Sequence, residues 1–131
     1  RAVAQGQCGV GVVNHYYLAR MRAGVNGKKD EQLANKVKIV MPNPAHVNIS
    51  AAAVSRYSKN KKNAVKLIEF LASPTGSAGL AGPTYEFPLQ GVGGSTYLKG
   101  MTKFTPDPVT VSELSRYNKE AIQLMTEAGW K

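Results

Sequence analysis

Acidic side chains are scarce in this sequence of 131 residues: 8 Asp and Glu stand against 17 Lys and Arg, for a net charge of +9. An excess of that sign raises nucleic acid or an anionic surface as a partner. The lysines are dispersed, however, apart from Lys28-Lys29 and Lys59-Asn60-Lys61-Lys62. Neither cluster is interleaved with stacking aromatics and no nucleic-acid motif accompanies them, so they read as a loop and a solvated helix start. Cysteine is nearly absent. The single Cys8 excludes an internal disulfide. It reads as a small apolar residue inside a buried strand, and no base stands beside it in sequence to make it a nucleophile. No apolar run reaches the length needed to cross a membrane. There is also no internal repeat, low-complexity tract or heptad seam.

What is present is organised around Val12-Val13-Asn14-His15-Tyr16-Tyr17. The run before the tyrosines, Cys8-Gly9-Val10-Gly11-Val12-Val13, is short, β-branched and glycine-spaced, and predicts a buried strand at 8–13. The run after them, Leu18 to Ala23, is made of good helix formers and stops at Gly24. Tyr16 and Tyr17 therefore stand at a strand-to-helix junction, where open α/β sheets place their ligands. A phenol is a poor ligand while protonated, with a pKa near 10. A hard, highly charged cation can displace that proton and hold the phenolate. The plain alternative is a pair of half-buried aromatics at a helix start.

In chain order, Arg1 to Gln5 predicts a helix tail ended by Gly6. Gly24 to Asp30 is turn chemistry, with Asn26-Gly27 at its centre. Asp30 can cap a short helix through Lys36, with Glu31 in its first turn. Val37-Lys38-Ile39-Val40 predicts a strand at 37–41, and Pro42-Asn43-Pro44 interrupts any regular element. His46-Val47-Asn48-Ile49-Ser50 alternates polar and apolar, which predicts a strand at 46–54 with one face buried. In an extended stretch His15 would point away from Asn14 and Tyr16; it reads as a packed or exposed residue, and His46 as a structural, hydrogen-bonding one.

Asn60 opens the clearest helix, with Ala64, Val65, Leu67, Ile68, Leu71 and Ala72 on one apolar face that Phe70 widens. Ser73-Pro74 starts another, with Ser at the N-cap and Pro at the first helical position. Gly91 to Thr96 and Phe104 to Pro108 are loop-like. Thr110 and Glu113 form a capping box for a last helix that stops at Gly129, where Trp130 can pack back on the final turn.

Several of these stretches occur in an order that resembles the C-terminal part of the bacterial ferric-iron-binding proteins of ABC transporters, especially the cyanobacterial ones. They are Arg1 to Gln7, the apolar run, Asn14-His15-Tyr16-Tyr17-Leu18, Val37 to Asn43, His46 to Ser50 and Asn63 to Leu71. The Asn-x-Tyr-Tyr and His-Val-Asn-Ile-Ser elements are the most specific. That family comprises two-lobed, class II periplasmic binding proteins, more than twice as long as this chain. The resemblance implies an α/β fold and a binding protein, not an enzyme. It implies residues 1–45 as part of the C-terminal lobe, 46–54 as a strand crossing between lobes, 55–90 as helices packing on the N-terminal lobe, and 91–131 as a loop and closing helix. The chain opens in a helical pattern with no initiator Met and no signal peptide, so it is expected to be roughly the last two-fifths of such a protein.

The resemblance further implies that Tyr16 and Tyr17 ligate Fe(III), with other ligands preceding Arg1. It implies a permease in the inner membrane as partner together with the missing N-terminal part, a periplasmic location, and no nucleic acid. Asn14 has two open roles: holding a synergistic anion, carbonate or phosphate, through its amide NH2, or capping the helix that begins beside it. Tyr57, Tyr85, Tyr97 and Tyr117 lack the motif and read as core or surface aromatics. Gln7-Cys8-Gly9 is less polar than the acidic turn common in relatives. Two other functions fit less of the sequence: a binding protein for another ligand, such as a polyamine or organic anion, and a basic nucleic-acid-binding domain.

Overall fold

The computed structural model describes residues 1–91 and 94–130. Val92 and Gly93, inside the loop expected at 91–96, and Lys131 lie outside the described residues. The helices among the described residues are α1 (His15–Arg22), α2 (Lys28–Ala34), α3 (Lys61–Ala72), α4 (Pro74–Thr84) and α5 (Val111–Glu127), with 3-10 turns at Val3–Gln5 and Thr96–Leu98. None of these helices is long and apolar enough to cross a membrane. The chain divides into two compact units, one of Arg1–Met41 with Asn48–Lys103, the other of Pro42–Val47 with Phe104–Lys131.

Helix ends follow local chemistry. After α1, Gly24 takes φ 68°, and Val25 N–H reaches Arg20 C=O at 3.2 Å while Gly24 N–H reaches Met21 C=O at 3.0 Å. This is a Schellman termination, which a glycine permits without strain. Ser73 caps α4 as expected, its hydroxyl accepting from Gly76 N–H at 3.2 Å, with Pro74 in the first turn. The Thr110–Glu113 capping box forms. The Glu113 carboxylate accepts from Thr110 N–H at 2.8 Å and from its hydroxyl at 2.6 Å. Gly129 ends α5 in a second Schellman motif, with Trp130 N–H on Met125 C=O at 2.9 Å, though the Trp130 ring stays exposed.

Four expectations need correction. First, the strands at 8–13, 37–41 and 46–54 do not form: among the described residues there is no strand, only a single parallel bridge between Ala45 and Pro106. A strand is a ladder, and its hydrogen bonds need a neighbour. The run 8–13 is extended but open, with Val10 82% and Val12 86% exposed. Segment 37–41 keeps the alternation of a strand, since Val37, Ile39 and Met41 turn to the core while Lys38 and Val40 turn out. It has the side-chain pattern without the partner. Second, Cys8 is exposed, not enclosed. Third, Asp30 does not cap α2. Gly27 is the N-cap, and Asp30 is a buried residue of the first turn. Its carboxylate accepts from Arg1 Nε at 2.8 Å and Nη2 at 2.5 Å, and from Asn26 Nδ2 at 3.2 Å. A lone buried carboxylate is costly, so this pairing is what admits it. Lys28 and Lys29 thereby belong to a helix start and not to a loop. Fourth, Arg1 to Gln5 is not an α-helical tail: it holds only the 3-10 turn Val3–Gln5.

The core of the first unit is small. Leu18 and Ala19 of α1, Ala34 of α2, and Leu98 and Met101 enclose it, with Met21, Val37, Ile39, Met41, Tyr85 and Phe87 packed around them. Arg22 at the end of α1 donates to the carbonyls of Tyr97 at 3.4 Å and Lys99 at 3.1 Å, holding the 96–98 turn against the helix. Ala19 and Met101 are wholly enclosed. That packing fixes α1, and α1 carries the tyrosines.

Candidate functional site

Asn14 is the N-cap residue of α1, with extended backbone (φ −65°, ψ 139°) and His15 and Tyr16 opening the helix. The position agrees with the capping role, but the side chain makes no capping bond. It is engaged elsewhere. Its Oδ1 accepts from Asn48 Nδ2 at 2.8 Å, and its own Nδ2 donates to the Tyr16 hydroxyl at 3.4 Å. Tyr16 is half-buried and Tyr17 is 49% exposed. Their rings lie 4.5 Å apart at 46°. The three residues singled out in sequence, Asn14, Tyr16 and Tyr17, thus stand together at the opening of one helix whose other face is locked into the core.

The environment of Tyr16 favours its neutral form. Hydrogen bonding to the Tyr17 hydroxyl raises its pKa above the ordinary phenol value, reinforced by burial and by the charges of Tyr17 and Glu86; the Asn14 amide acts in the opposite sense. A proton therefore stays on Tyr16 unless a stronger Lewis acid replaces it.

His15 packs against aromatic rings. Because it begins a helix and is not extended, its ring turns to stack on Phe87, with centroids 4.4 Å apart and planes at 16°, and meets Tyr16 edge-on at 5.8 Å. Burial lowers its pKa, against the opposing influence of the Tyr85 backbone and the Glu86 charge, so the imidazole is held neutral. Its Nε2 is buried with no hydrogen-bond partner among the described residues. His46 is exposed.

Asn48, Ser50 and Glu86 also belong to this corner, and sequence reasoning did not select them. The Ser50 hydroxyl lies 3.1 and 3.0 Å from the two Glu86 carboxylate oxygens. The alternation at 46–50 was the available signal, because it puts Asn48 and Ser50 on one side of an extended segment. For Glu86 the run Tyr85 to Leu89 indicates no more than an extended segment interrupted by Pro88. Its placement depends on Tyr85, which adopts a left-handed conformation (φ 61°) at the end of α4. Among the described residues no group of three or more His, Cys, Asp or Glu converges as a metal site. The oxygen donors at this corner are phenols, amides, the Ser50 hydroxyl and one carboxylate.

No family model matches the chain. Individual proteins do. Over 138 residues it is 32% identical to iron uptake protein A2 of Synechocystis sp. (strain ATCC 27184 / PCC 6803 / Kazusa), which takes in 100% of this chain and 40% of that protein. The whole chain is similar to bacterial iron-uptake proteins. Iron uptake protein A1 of the same organism is 33% identical over 135 residues, covering 99% of the chain and 37% of that relative. The major ferric iron-binding protein of Neisseria meningitidis serogroup B is 30% identical over 132 residues, covering all of the chain and 39% of the relative. The chain thus spans about two-fifths of the length of the curated relatives it matches.

Proposed function

We propose that this chain is the C-terminal portion of a ferric-iron-binding subunit of an ABC-type uptake transporter, and that Tyr16 and Tyr17 hold Fe(III) as phenolates. The observation that carries the reading is the coincidence of two facts: similarity along the entire chain to iron-uptake and ferric-iron-binding proteins, and adjacent tyrosines, rings 4.5 Å apart, at the exposed opening of a core-anchored helix. Hard oxygen donors suit a hard cation. The protein binds and delivers, and does no chemistry on its cargo. Its partners are a membrane permease and the remainder of the same two-lobed protein, and its location is periplasmic. In this reading residues 1–45 line one wall of the cleft, 46–54 cross between lobes, 55–90 pack on the N-terminal lobe and 91–131 close the fold. The segments expected as strands find their ladder partners in the rest of that protein. A carbonate or phosphate completes the coordination.

Fe(III) takes about six donors, and two phenolates leave most positions to water. Residues 1–131 alone should therefore surrender iron to citrate, while the full-length protein retains it. The test is made on the full-length protein. Iron loading should produce a visible phenolate-to-Fe(III) charge-transfer band. Tyr16→Phe and Tyr17→Phe keep the rings and remove the oxygens, so each should weaken or shift that band and speed iron loss. An unchanged band and unchanged retention in both variants would overturn the assignment.

A further inference from the structure

We propose that Asn48 is a positioning residue for Tyr16: it sets the amide of Asn14 so that the Asn14 NH2, and not its carbonyl, faces the Tyr16 oxygen. The inference rests on Tyr16 being a ferric ligand, as proposed above, and adds a residue 34 positions away from Asn14.

A primary amide has one accepting and one donating end. Asn14 is contacted at both: Asn48 Nδ2 donates to its Oδ1 at 2.8 Å, and its Nδ2 lies 3.4 Å from the Tyr16 hydroxyl. Two polarities of this relay are self-consistent. A neutral Tyr16 could donate its O–H to an Asn14 carbonyl, whose NH2 would then donate to an Asn48 carbonyl. A phenolate has no proton to give and can only accept. When the Fe–O bond forms and the Tyr16 proton leaves to water, Asn14 must therefore present NH2 to Tyr16, and its Oδ1 must then accept from Asn48. The structure already has that second polarity. The 3.4 Å contact is long for a neutral pair, and donation to an ionised oxygen shortens such a bond to about 2.7–2.9 Å. Because Asn14 makes no bond to the helix it caps, its amide is free to serve Tyr16. Asn48 is exposed and contributes little packing, so replacing it should spare the fold.

The experiment uses the full-length protein, with ferric citrate as the iron source and excess citrate as the competitor. Asn48→Asp keeps the size but has no N–H to donate. It leaves Asn14 without a donor at its carbonyl and favours the flipped amide, which turns a lone pair toward the phenolate. Hydrogen bonds to charged groups are the stronger class, so iron loss to citrate should accelerate about tenfold, with a shifted charge-transfer band. Asn48→Ala should do the same to a smaller degree, and Asn48→Gln, which retains the donor, should stay near the unsubstituted protein. The discriminating readout is a double-substitution cycle. In an Asn14→Ala background, Asn48→Ala should have no further effect, because Asn48 acts only through Asn14. Unchanged band and rate in both Asn48→Asp and Asn48→Ala, with helical content intact, would overturn the inference, as would full additivity in the cycle. An unsubstituted protein that shows no phenolate band would instead overturn the assignment of the tyrosines, and this inference with it.

Discussion

Helices α1 and α3 belong to the same compact unit and treat their apolar side chains in opposite ways. α3 has the longer and more regular apolar stripe, yet none of its residues is buried. Ala64, Ile68 and Leu71 are half-covered, whereas Val65, Leu67 and Phe70 face solvent. α1 is only eight residues long and has a mixed sequence, but it buries Leu18 and Ala19 completely enough to anchor the core. Periodicity states that a face is apolar; it does not state that something covers it. What distinguishes α1 is the small Ala19, which lets Met101 and the 96–98 turn come close. α4 covers only part of the α3 stripe and is itself rich in Gly and Ala, with little side chain to offer. α5, in the other unit, repeats the α3 situation: it buries no residue, and Ile122 and Leu124 are exposed.

The largest expected effect tests this contrast directly. Met101→Ala should lower stability by about 2–5 kcal/mol, because it leaves a cavity beneath α1. Leu67→Ala, at a side chain 57% exposed, should cost only about 0.5 kcal/mol. Urea denaturation of residues 1–131 measures both. Equal losses would mean that α3 is packed as tightly as α1. Repeating the pair in the full-length protein sharpens the comparison, since a large rise for Leu67→Ala alone would show that a further element covers α3.

The next effect concerns how α3 meets α4. A Cβ built on Gly76 would run into the backbone carbonyl of Phe70, and backbone cannot step aside as a side chain can. Gly76→Ala should cost roughly 1–3 kcal/mol by overpacking, despite the better helix propensity of Ala. A stabilised variant in thermal melting would show that the two helices are not held at this distance.

A third prediction uses pH to probe the α2 end of the core. The Arg1 guanidinium, helped by the Asn26 amide and opposed by burial, holds the Asp30 carboxyl below its ordinary pKa. A group depressed in the folded state stabilises above its unfolded pKa, about 3.9 for Asp, and that contribution is lost as pH falls through the lower folded value. The melting temperature should therefore drop on acidification below about pH 4, and Asp30→Asn should lower it at neutral pH while flattening that drop. A variant with the same acid profile as the parent would remove Asp30 from the account. The smallest effect belongs to α5. Thr110→Ala removes the cap hydroxyl, worth about 1 kcal/mol. Because α5 buries nothing, the loss should appear as faster amide exchange in its first turn, not as a lower global midpoint.

Legibility from sequence divides along the range of the interactions involved. The ends of α1, α4 and α5 were readable because Gly24, Ser73-Pro74, Thr110 with Glu113, and Gly129 act on backbone within a few residues. The strands were misjudged because 8–13 and 46–54 have the side chains of strands, but pairing is a property of a neighbour. Asp30 was misjudged for the same reason: a cap is local, whereas its partner Arg1 is 29 residues away. At the candidate site, the Asn14–Tyr16–Tyr17 grouping is contiguous and was visible. Asn48, Ser50 and Glu86 were not, because extended chain and the left-handed turn at Tyr85 bring them in from afar.

The exposure of Cys8 has an experimental use. It is the only thiol in the chain, it is open to reagent, and it precedes Asn14 by six residues, at most about 20 Å of extended backbone. A maleimide fluorophore attached there would sit within energy-transfer range of the ferric centre proposed at Tyr16 and Tyr17, if that centre forms. Arrival and departure of the metal could then be followed in real time as quenching, at concentrations too low for absorbance and without a substitution near the tyrosines.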